Sequence, residues 1–380
     1  MTTNHTFVGV AGAGAMGSGI AQVALQNGHH VVLFDIQQQS LDKAYKAIES
    51  GLKKWAEKSK MPVGTSQQCI KNLILTNDST ALSPCELIIE AIAERIDIKK
   101  DFFKAVSDIV NDNCILASNT SSLSLTSIAS ACKNPQQFIG LHFFNPAPLM
   151  SLVEIIPAMQ TQPKLVAECN KWMIKWGKTP VLCKDTPGFI VNRIARPYYS
   201  EALRILEENI ATVDTIDAAM KASGFRMGPF ELMDLIGHDV NYTVTESVFQ
   251  SLYFDPRYRP SVTQKRLTEA GWFGKKSGRG FYNYHEENSK SPEAPVNALT
   301  TISDRIITML INEAYDALHF GVANESDIDT AMTKGVNYPK GLIQWGREIG
   351  LPEIKSRMNA LYHQYQEDRY RLSPGISSRI

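Results

Sequence analysis

The sequence lacks an excess of charge of either sign. Its 380 residues include 39 Lys and Arg and 39 Asp and Glu, so the formal net charge is zero. Without a net positive field the chain has no global attraction for a polyanion, and we expect no nucleic-acid partner. The sequence also lacks an uninterrupted apolar run of the roughly 18 residues that a membrane span needs. We therefore expect no membrane segment.

Cysteine is scarce as well. The six cysteines include no CxxC pair and no cluster with the spacing of metal ligands, which excludes the common zinc and dithiol motifs. Most of them stand in apolar runs, where a free thiol behaves as a small hydrophobic side chain. Residues 1–5 contain no basic segment of the kind that opens a signal peptide. These features predict reduced cysteines, no metal site and a cytoplasmic protein.

The first half of the chain alternates short apolar runs with longer amphipathic segments, from residue 7 to about residue 183. This alternation is typical of a parallel sheet built from βαβ units. The predicted strands are Thr6–Ala11, His30–Phe34, Leu73–Thr76, Leu87–Ala91, Ile115–Ala117, Phe138–Phe143 and Leu152–Ile156. Beyond them, Thr186 followed by Pro187 predicts the start of a long helix that runs through Glu208.

A glycine-rich turn follows the first predicted strand. Residues 12–17 (GAGAMG) match the pattern GxGxxG, with a strand before it and a helix after it, as a dinucleotide site requires. Gly12 would permit the tight turn, and Gly14 would let the pyrophosphate approach the backbone. Gly17 would let the following helix pack closely on the first strand. Ala15 and Met16 would then lie at the helix N-terminus that meets the phosphates.

Asp35 ends the second predicted strand, 18 residues after Gly17. A carboxylate at this place can bind the ribose hydroxyls of the adenosine and repel a 2′-phosphate. Residues 36–40 include no Arg or Lys. These residues predict NAD, and not NADP, as the cofactor. The alternative is that Asp35 is only a turn residue at a strand end.

An acidic residue stands alone in an apolar strand. Glu154 lies within LVEII, and a carboxylate buried there is costly unless it has a partner. His142, twelve residues earlier, ends the apolar run FIGLH. If the returning chain brings Glu154 to the imidazole, the carboxylate would fix its tautomer and stabilise its charged form. The pair predicts a general base with an orienting group, although His142 by itself could be a structural histidine.

Small polar side chains follow another predicted strand. Residues 119–123 (NTSSL) stand at a strand C-terminus, where open α/β sheets bind ligands, so Asn119 and Ser121 are candidate cofactor or substrate contacts. The alternative is that the serines around Ser124 only cap the next helix. Asn192, in the predicted helix after Pro187, is a candidate only if it faces a cleft.

The second half of the chain repeats itself. Two blocks return later in the chain at the same spacing: Glu201-Ala202 returns as Glu313-Ala314, and IDAAM at 216–220 returns as IDTAM at 328–332. A third block, MGP at 227–229, aligns with PKG at 339–341 if one residue is inserted. Three blocks in the same order predict two helical units, unless the likeness of two helical segments is a coincidence. Neither unit can be expected to bury its apolar face alone. We therefore predict an internal pseudo-dimer and leave homodimer formation open.

The predicted architecture is an α/β, Rossmann-type dinucleotide-binding domain followed by two repeated all-helical domains. The predicted boundaries are 1–185 for the NAD-binding domain, 186–285 for the first helical domain, 286–298 for a charged linker and 299–380 for the second helical domain.

Several motifs together resemble one enzyme family. The glycine turn with Asp35, EAIAE with Lys99, SNTSSL, GLHFFNPAP, LVEII, DTPGFIVNR, MGPFEL and GKKSGRGFY occur in the order found in the L-3-hydroxyacyl-CoA dehydrogenases. The resemblance covers residues 7 to 284. The second helical unit looks most like the 3-hydroxyadipyl-CoA dehydrogenases of phenylacetate catabolism, although those relatives usually have a longer spacer between the helical units.

This resemblance implies NAD-dependent oxidation of an L-3-hydroxyacyl-CoA, such as a 3-hydroxyadipyl or 3-hydroxybutyryl thioester, in fatty-acid (β-oxidation) or phenylacetate catabolism. It makes His142 the general base, Glu154 its orienting carboxylate, and Ser121 and Asn192 the polar groups on the substrate oxygen. The implied cofactor contacts are Glu94, Lys99, Asn145 and, near the nicotinamide end, Lys276. The alternatives are a dehydrogenase of a free hydroxy acid such as gulonate and an inert NAD-binding protein.

The CoA moiety would need cationic side chains. Lysines 53, 54, 58 and 60 lie in the helical segment 40–60, where they could meet phosphates or form a solvated face. Lys58 is our single choice for a CoA contact.

Overall fold

The computed structural model describes residues 6–285 and 296–380. The chain forms two compact units, one through Thr186 and one from Pro187 onward. The predicted linker at 286–298 falls mostly outside the described residues, and a helix begins at Val296.

The first unit is built on an eight-stranded sheet in the order β3-β2-β1-β4-β5-β6-β7-β8. The strands are β1 Phe7–Ala11, β2 His30–Phe34, β3 Leu73–Thr76, β4 Leu87–Glu90, β5 Ile115–Ser118, β6 Phe138–Phe143, β7 Leu152–Pro157 and β8 Thr179–Leu182. Seven of them were predicted to within one residue at each end. Sequence reasoning missed β8, because this four-residue edge strand contains a proline, which usually argues against a strand.

The prediction of a parallel sheet is wrong at one place. Strands β6 and β7 pair antiparallel, whereas every other neighbouring pair is parallel. A parallel connection needs a dozen or more residues for its crossover, and only the turn 144–151 separates β6 from β7. The chain therefore returns directly beside itself. This return sets His142 opposite Glu154.

Helices cover the sheet of the first unit. They are α1 Ala15–Gln26, α2 Gln38–Lys58, α3 Thr65–Ile70, α4 Ile96–Ser107, α5 Leu125–Ala129 and α6 Pro163–Lys175. Central strands such as β4 are buried along their whole length, as expected for strands with helices on both faces. All six cysteines of the chain are free, and all but Cys69 are buried.

The second unit is helical. Its first repeat comprises α7 Val191–Ile194, α8 Arg196–Glu207, α9 Val213–Ala222, α10 Pro229–Ile236, α11 His238–Ser251 and α12 Val262–Glu269, and its second comprises α13 Val296–His319, α14 Glu325–Gly335, α15 Leu342–Ile349, α16 Leu351–Tyr365 and α17 Pro374–Ser377. The first residues of α9 and α14 are separated by as many residues as Glu201 and Glu313 are. The first residues of α10 and α15 are one residue farther apart than that. This spacing is the one predicted, with its single inserted residue.

The same capping device appears in both repeats. Asp217 accepts hydrogen bonds from the Phe230 and Glu231 amides at the start of α10, at 2.9 Å each. Asp329 does the same for Ile343 and Gln344 at the start of α15, at 2.7 and 3.0 Å. Each carboxylate satisfies two backbone donors that a helix start leaves open. The repeat is therefore structural and not only a likeness of sequence.

The predicted helix start at Pro187 is wrong. Gly188 and Phe189 have φ angles of +78° and +48°, in the left-handed region, so the chain turns before the first helical residue at Val191. The Arg193 amide closes this turn on the Gly188 carbonyl at 3.0 Å. A further turn at Ala195 separates α7 from α8, and the one long helix predicted through Glu208 is two helices.

Candidate active site

The glycine turn between β1 and α1 has the close contacts that its motif requires. Gly12 has a φ of +100°, and a Cβ added there would lie 2.5 Å from the Ala91 carbonyl oxygen. A Cβ on Gly17 would lie 1.7 Å from the carbonyl oxygen of Gly12. By contrast, nothing lies within 4 Å of a Cβ added to Gly14. The backbone is thus tightly packed on the protein side and open where a pyrophosphate would approach.

Asp35 lies beside this turn at the end of β2. Its carboxylate accepts hydrogen bonds from the amides of Ala13, at 2.8 Å, and Gln37, at 2.9 Å. It lines a cavity of about 550 Å³ together with Gly12 and Gly14. Apolar side chains, including Ile36 and Phe102, complete the walls. An open glycine turn, an acidic residue at the ribose position and apolar walls fit the adenosine half of NAD.

A buried ion cluster lies at the adjacent strand ends, after β4 and β5. The Lys99 ammonium is 2.5 Å from Glu90 Oε1 and 3.2 Å from Glu94 Oε2. Lys99 is only 1% exposed, whereas the Glu94 side chain is 38% exposed. Ser118 donates its hydroxyl proton to the second oxygen of Glu90 at 2.6 Å. Lys99 therefore supports Glu94 from the protein interior.

The two carboxyl groups of this cluster differ in their electrostatics. Desolvation raises the pKa of Glu90 above its ordinary value, and the nearby Lys99 only partly offsets this effect. Desolvation acts on Glu94 too, but there Lys99 and hydrogen bonds from Thr120 and Ser121 outweigh it and lower the pKa. Glu94 is thus held ionised at neutral pH.

Glu94 organises the polar loop that follows β5. Its Oε1 accepts hydrogen bonds from the Thr120 hydroxyl at 2.6 Å, the Ser121 amide at 2.9 Å, and the Ser121 and Ser122 hydroxyls at 3.2 Å each. Asn119, just before it, accepts a hydrogen bond from the Phe143 amide at 2.7 Å. This bond ties the loop to the end of β6, next to His142. The structure thus brings together Glu94, Asn119 and Ser121, which were predicted separately as site residues.

His142 and Glu154 form the pair predicted from the sequence. They face each other across β6 and β7, with His142 Nδ1 2.6 Å from Glu154 Oε2. Glu154 is fully buried, and the His142 side chain is 8% exposed. With Nδ1 directed at the carboxylate, the ring presents Nε2 on its other side as the position for proton exchange.

The remaining predicted residues lie at separate places. Asn145 is exposed in the turn after β6, and Lys58 is exposed as the last residue of α2. Lys276, in the second unit, forms an ion pair with Asp239 at 2.5 Å. Asn192 lies in the short helix α7 of the same unit. Their proposed roles remain predictions.

Sequence reasoning missed four members of the polar network, Glu90, Ser118, Thr120 and Ser122. One signal was available for Glu90. It is a carboxylate at the end of the apolar strand LIIE, and it needs a buried partner for the same reason as Glu154.

Among residues 6–285 and 296–380, no three His, Cys, Asp or Glu side chains are grouped so that they could hold a metal ion. Of the helices in these ranges, none combines the length and the apolar character of a membrane-spanning segment.

Comparison with known proteins assigns the chain to a family. Residues 7–186 match the sequence profile "3-hydroxyacyl-CoA dehydrogenase, NAD binding domain". Residues 188–284 and again 302–379 match "3-hydroxyacyl-CoA dehydrogenase, C-terminal domain". The chain belongs to the 3-hydroxyacyl-CoA dehydrogenase family. The resemblance inferred from its motifs is confirmed, as is the fold class, and the enzyme is an NAD-dependent oxidoreductase.

Individual relatives support this assignment. The chain is 38% identical to the 3-hydroxyadipyl-CoA dehydrogenase of Escherichia coli, covering 98% of this chain and 96% of that protein. It is 41% identical to the human mitochondrial hydroxyacyl-coenzyme A dehydrogenase over 73% of this chain and 90% of that protein. A crystal structure of 3-hydroxybutyryl-CoA dehydrogenase from E. coli matches with a TM-score of 0.93 and 37% identity, over 99% of this dehydrogenase and 98% of that chain.

Proposed function

We propose that this dehydrogenase oxidises the 3-hydroxyl group of an L-3-hydroxyacyl-CoA, with His142 as the general base. The observation that supports this role is the buried contact of 2.6 Å between His142 Nδ1 and Glu154. The glycine turn and Asp35 would hold NAD, which when bound would supply the acceptor for the hydride on C3 of the substrate. His142 Nε2 takes the hydroxyl proton, so the C3–O bond becomes a carbonyl while C3 loses its hydrogen and two electrons.

The chain's other residues prepare this step. Glu154 fixes the imidazole tautomer and stabilises the positive charge that His142 gains with the proton. Ser121 is held by Glu94 through its amide at 2.9 Å, and its hydroxyl, which donates to Glu94 at 3.2 Å, would turn away from Glu94 to donate a hydrogen bond to the substrate oxygen. Asn192 would supply a second one. In the reverse direction the imidazolium returns the same proton to the oxygen.

We propose the residue roles at the cofactor from the glycine turn and from the family resemblance. Gly12, Gly14, Gly17 and Asp35, with Ala15 and Met16 at the start of α1, would hold the adenosine and the pyrophosphate. Glu94, Asn119, Asn145 and Lys276 would contact the nicotinamide half, with Lys99 behind Glu94. Lys58 would meet CoA.

The substrate follows from the relatives' names. They point to a short acyl chain, 3-hydroxybutyryl, or to one that carries a second carboxylate, 3-hydroxyadipyl. A free hydroxy acid such as gulonate is the second candidate class, favoured only by the wider fold. The proposed location is the cytoplasm.

The first test is turnover. We expect the enzyme to consume NADH with acetoacetyl-CoA and with 3-oxoadipyl-CoA, and to use NADPH poorly because Asp35 would repel its 2′-phosphate. Initial rates at 340 nm give kcat/KM for each pair, with L-gulonate and NAD as the control for the rival class. NADH binding without turnover of any acyl-CoA would contradict the proposal and favour an inert NAD-binding protein.

We further propose that the two helical repeats pair as an internal pseudo-dimer. Arg193 of the first repeat forms an ion pair with Glu313 of the second, at 3.0 Å, and Arg305 of the second forms one with Glu201 of the first, at 2.6 Å. Arg305 in the second repeat corresponds to Arg193 in the first, and Glu313 corresponds to Glu201, because the two residues of each pair are equally far apart in sequence. The contacts are therefore reciprocal, as in an interface with two-fold symmetry.

A tyrosine repeats this reciprocity. Tyr370 donates its hydroxyl proton to Glu201 at 2.8 Å, and Tyr258, its counterpart in the first repeat at the same offset, donates to Glu313. Each buried carboxylate thus has the same pair of partners, an arginine from the opposite repeat and this tyrosine.

We expect one chain to sediment as a monomer at micromolar concentration, since each helical repeat would already cover the packing face of the other. Sedimentation velocity over a hundredfold range of concentration measures this, and a tight dimer built on α8 and α13 would contradict internal pairing.

A further inference from the structure

One buried lysine of the first unit binds the turn between β6 and β7. Lys178 lies just before β8 and is 9% exposed. Its ammonium donates one hydrogen bond to the Ala147 carbonyl at 2.5 Å and another to the Met150 carbonyl at 2.8 Å. Both carbonyls belong to the turn 144–151. A single side chain therefore bridges two points of this turn.

The turn depends on Lys178 for these two hydrogen bonds. In residues 6–285 and 296–380, no backbone amide donates to either carbonyl. Pro146 and Pro148 have no N–H group, which limits the hydrogen bonds that the turn can form within itself. The amides of Leu149 and Met150 both donate to the Pro146 carbonyl, at 2.9 and 3.0 Å. Without Lys178 the two other carbonyls would have to move toward water to find a donor.

The ammonium group is costly to bury. Among the described residues one other lysine, Lys99, is buried, and it forms ion pairs with Glu90 and Glu94. Lys178 forms no ion pair with any residue in 6–285 or 296–380. Burial accordingly lowers the pKa of Lys178 to about 8. The first unit keeps a charged group at this buried place, where its hydrogen bonds are with the turn.

The turn contacts the helix of the cofactor site on one side and presents a proposed cofactor contact on the other. A Cβ added to Gly19 of α1 would lie 3.2 Å from both Ala147 Cβ and Pro148 Cδ, so the turn packs closely on this helix. Asn145, two residues before Ala147, is exposed. Lys178 thus holds the turn at the residue through which it contacts α1.

Strand pairing does not fix Asn145. The ladder between β6 and β7 ends at Phe143, two residues before Asn145, so the position of Asn145 depends on the turn itself. His142, in contrast, lies within the ladder. Loss of the Lys178 hydrogen bonds should therefore displace Asn145 and leave the general base in place.

Resting on the proposed function, in which Asn145 contacts the nicotinamide half of NAD, we infer that Lys178 is a positioning residue that holds Asn145 ready for the cofactor. Lys178 acts through the two backbone carbonyls and not by contact with NAD. When the turn is held, the protein is already in the form that binds the cofactor. When it is not, part of the binding free energy is used to order the turn, and the affinity falls by the fraction of molecules that are competent.

The first test measures NADH binding and catalysis separately. Lys178→Met keeps the length of the side chain and removes its donors, and we expect both Kd and KM for NADH to rise about 3- to 10-fold. At saturating NADH, kcat with acetoacetyl-CoA should fall less than twofold, because His142 stays in its ladder. Lys178→Arg keeps a charged group with several donors and should return Kd to within twofold of the unaltered enzyme. If Lys178→Met does not fold, Lys178→Gln, with a shorter and uncharged donor, should raise Kd about 2- to 5-fold.

A double-mutant cycle distinguishes this role from a general loss of stability. Asn145→Ala alone should raise the Kd for NADH about 5- to 30-fold. In the Asn145→Ala background, Lys178→Met should raise it by less than a further twofold, because the side chain that it positions is gone. A Lys178→Met effect of the same size in both backgrounds, or an unchanged Kd in Asn145→Ala, would overturn the inference.

Thr161→Val is the matched control. The Thr161 hydroxyl donates to the Phe138 carbonyl at 2.6 Å, so it too is a side-chain donor to a backbone carbonyl, but at the opposite end of β6 from His142. Its loss should lower the melting temperature and leave Kd for NADH within twofold. A lower melting temperature in Lys178→Met with an unchanged Kd and KM would show a structural role only and overturn the inference.

Failure of the inference and failure of the proposed function give different results. Fluorescence titration of NADH needs no turnover, so it tests Lys178 by itself. If the unaltered enzyme binds NADH and reduces no acyl-CoA, the proposed function fails. If it reduces acetoacetyl-CoA and Lys178→Met leaves Kd and KM for NADH unchanged, only this inference fails.

Discussion

His142→Gln is expected to lower kcat about 10²- to 10⁴-fold, the usual contribution of a positioned general base. Glutamine can still donate a hydrogen bond to Glu154, so the buried carboxylate keeps a partner. It cannot take the hydroxyl proton. NADH binding, followed by fluorescence titration, should stay within threefold, because the glycine turn and Asp35 are untouched.

The glutamine variant is preferable to alanine on energetic grounds. His142→Ala would remove the partner of a fully buried carboxylate, which commonly costs about 3 to 5 kcal/mol of folding free energy. A loss of activity in His142→Ala could then result from unfolding and not from the loss of the general base. His30→Gln, at the start of β2, controls for the removal of a histidine from the sheet. An unchanged kcat in His142→Gln would remove His142 from its proposed role.

The second large effect is expected for Glu154→Gln, with a fall in kcat of about 10²- to 10³-fold and a KM changed by less than threefold. The amide is nearly isosteric with the carboxylate, so the strand pairing should survive. It carries no charge, however, and it can bind the imidazole in the wrong tautomer. The split between kcat and KM separates a role in positioning the base from a role in substrate binding.

Glu201→Gln is the control for this experiment. Glu201 is also fully buried and ion-paired, but it lies between the helical repeats. Its loss should lower the melting temperature and leave kcat near that of the unaltered enzyme. If Glu154→Gln lowers the melting temperature and spares kcat in the same way, the carboxylate has a structural role only.

The sequence predicted those features that depend on local pattern. Seven strands follow from apolar runs between turn residues, and the glycine turn follows from a motif whose spacing has a mechanical reason. The pair of His142 and Glu154 was predictable for a different reason. A lone acid in an apolar strand needs a partner, and the strand that returns beside it offered one.

What the sequence did not predict depends on distant contacts or on unusual backbone angles. The left-handed turn at Gly188 and Phe189 contains the dipeptide Pro187-Gly188, which is a turn signal, but Thr186 followed by Pro187 also matches the start of a helix, and the two local signals compete. The contacts of Ser118 with Glu90 and of Ser121 with Glu94 join segments that become neighbours only when the parallel strands β4 and β5 pair.

The tandem arrangement of the helical repeats has a consequence for divergence. In a homodimer both halves are encoded once, so any change appears on both sides of the axis. Here each half is encoded separately. Where the first repeat has Asn192, the corresponding position of the second repeat has Asp304, which pairs with Arg357. The first repeat can therefore keep Asn192, the proposed substrate contact, while the second repeat has a different residue at the same position.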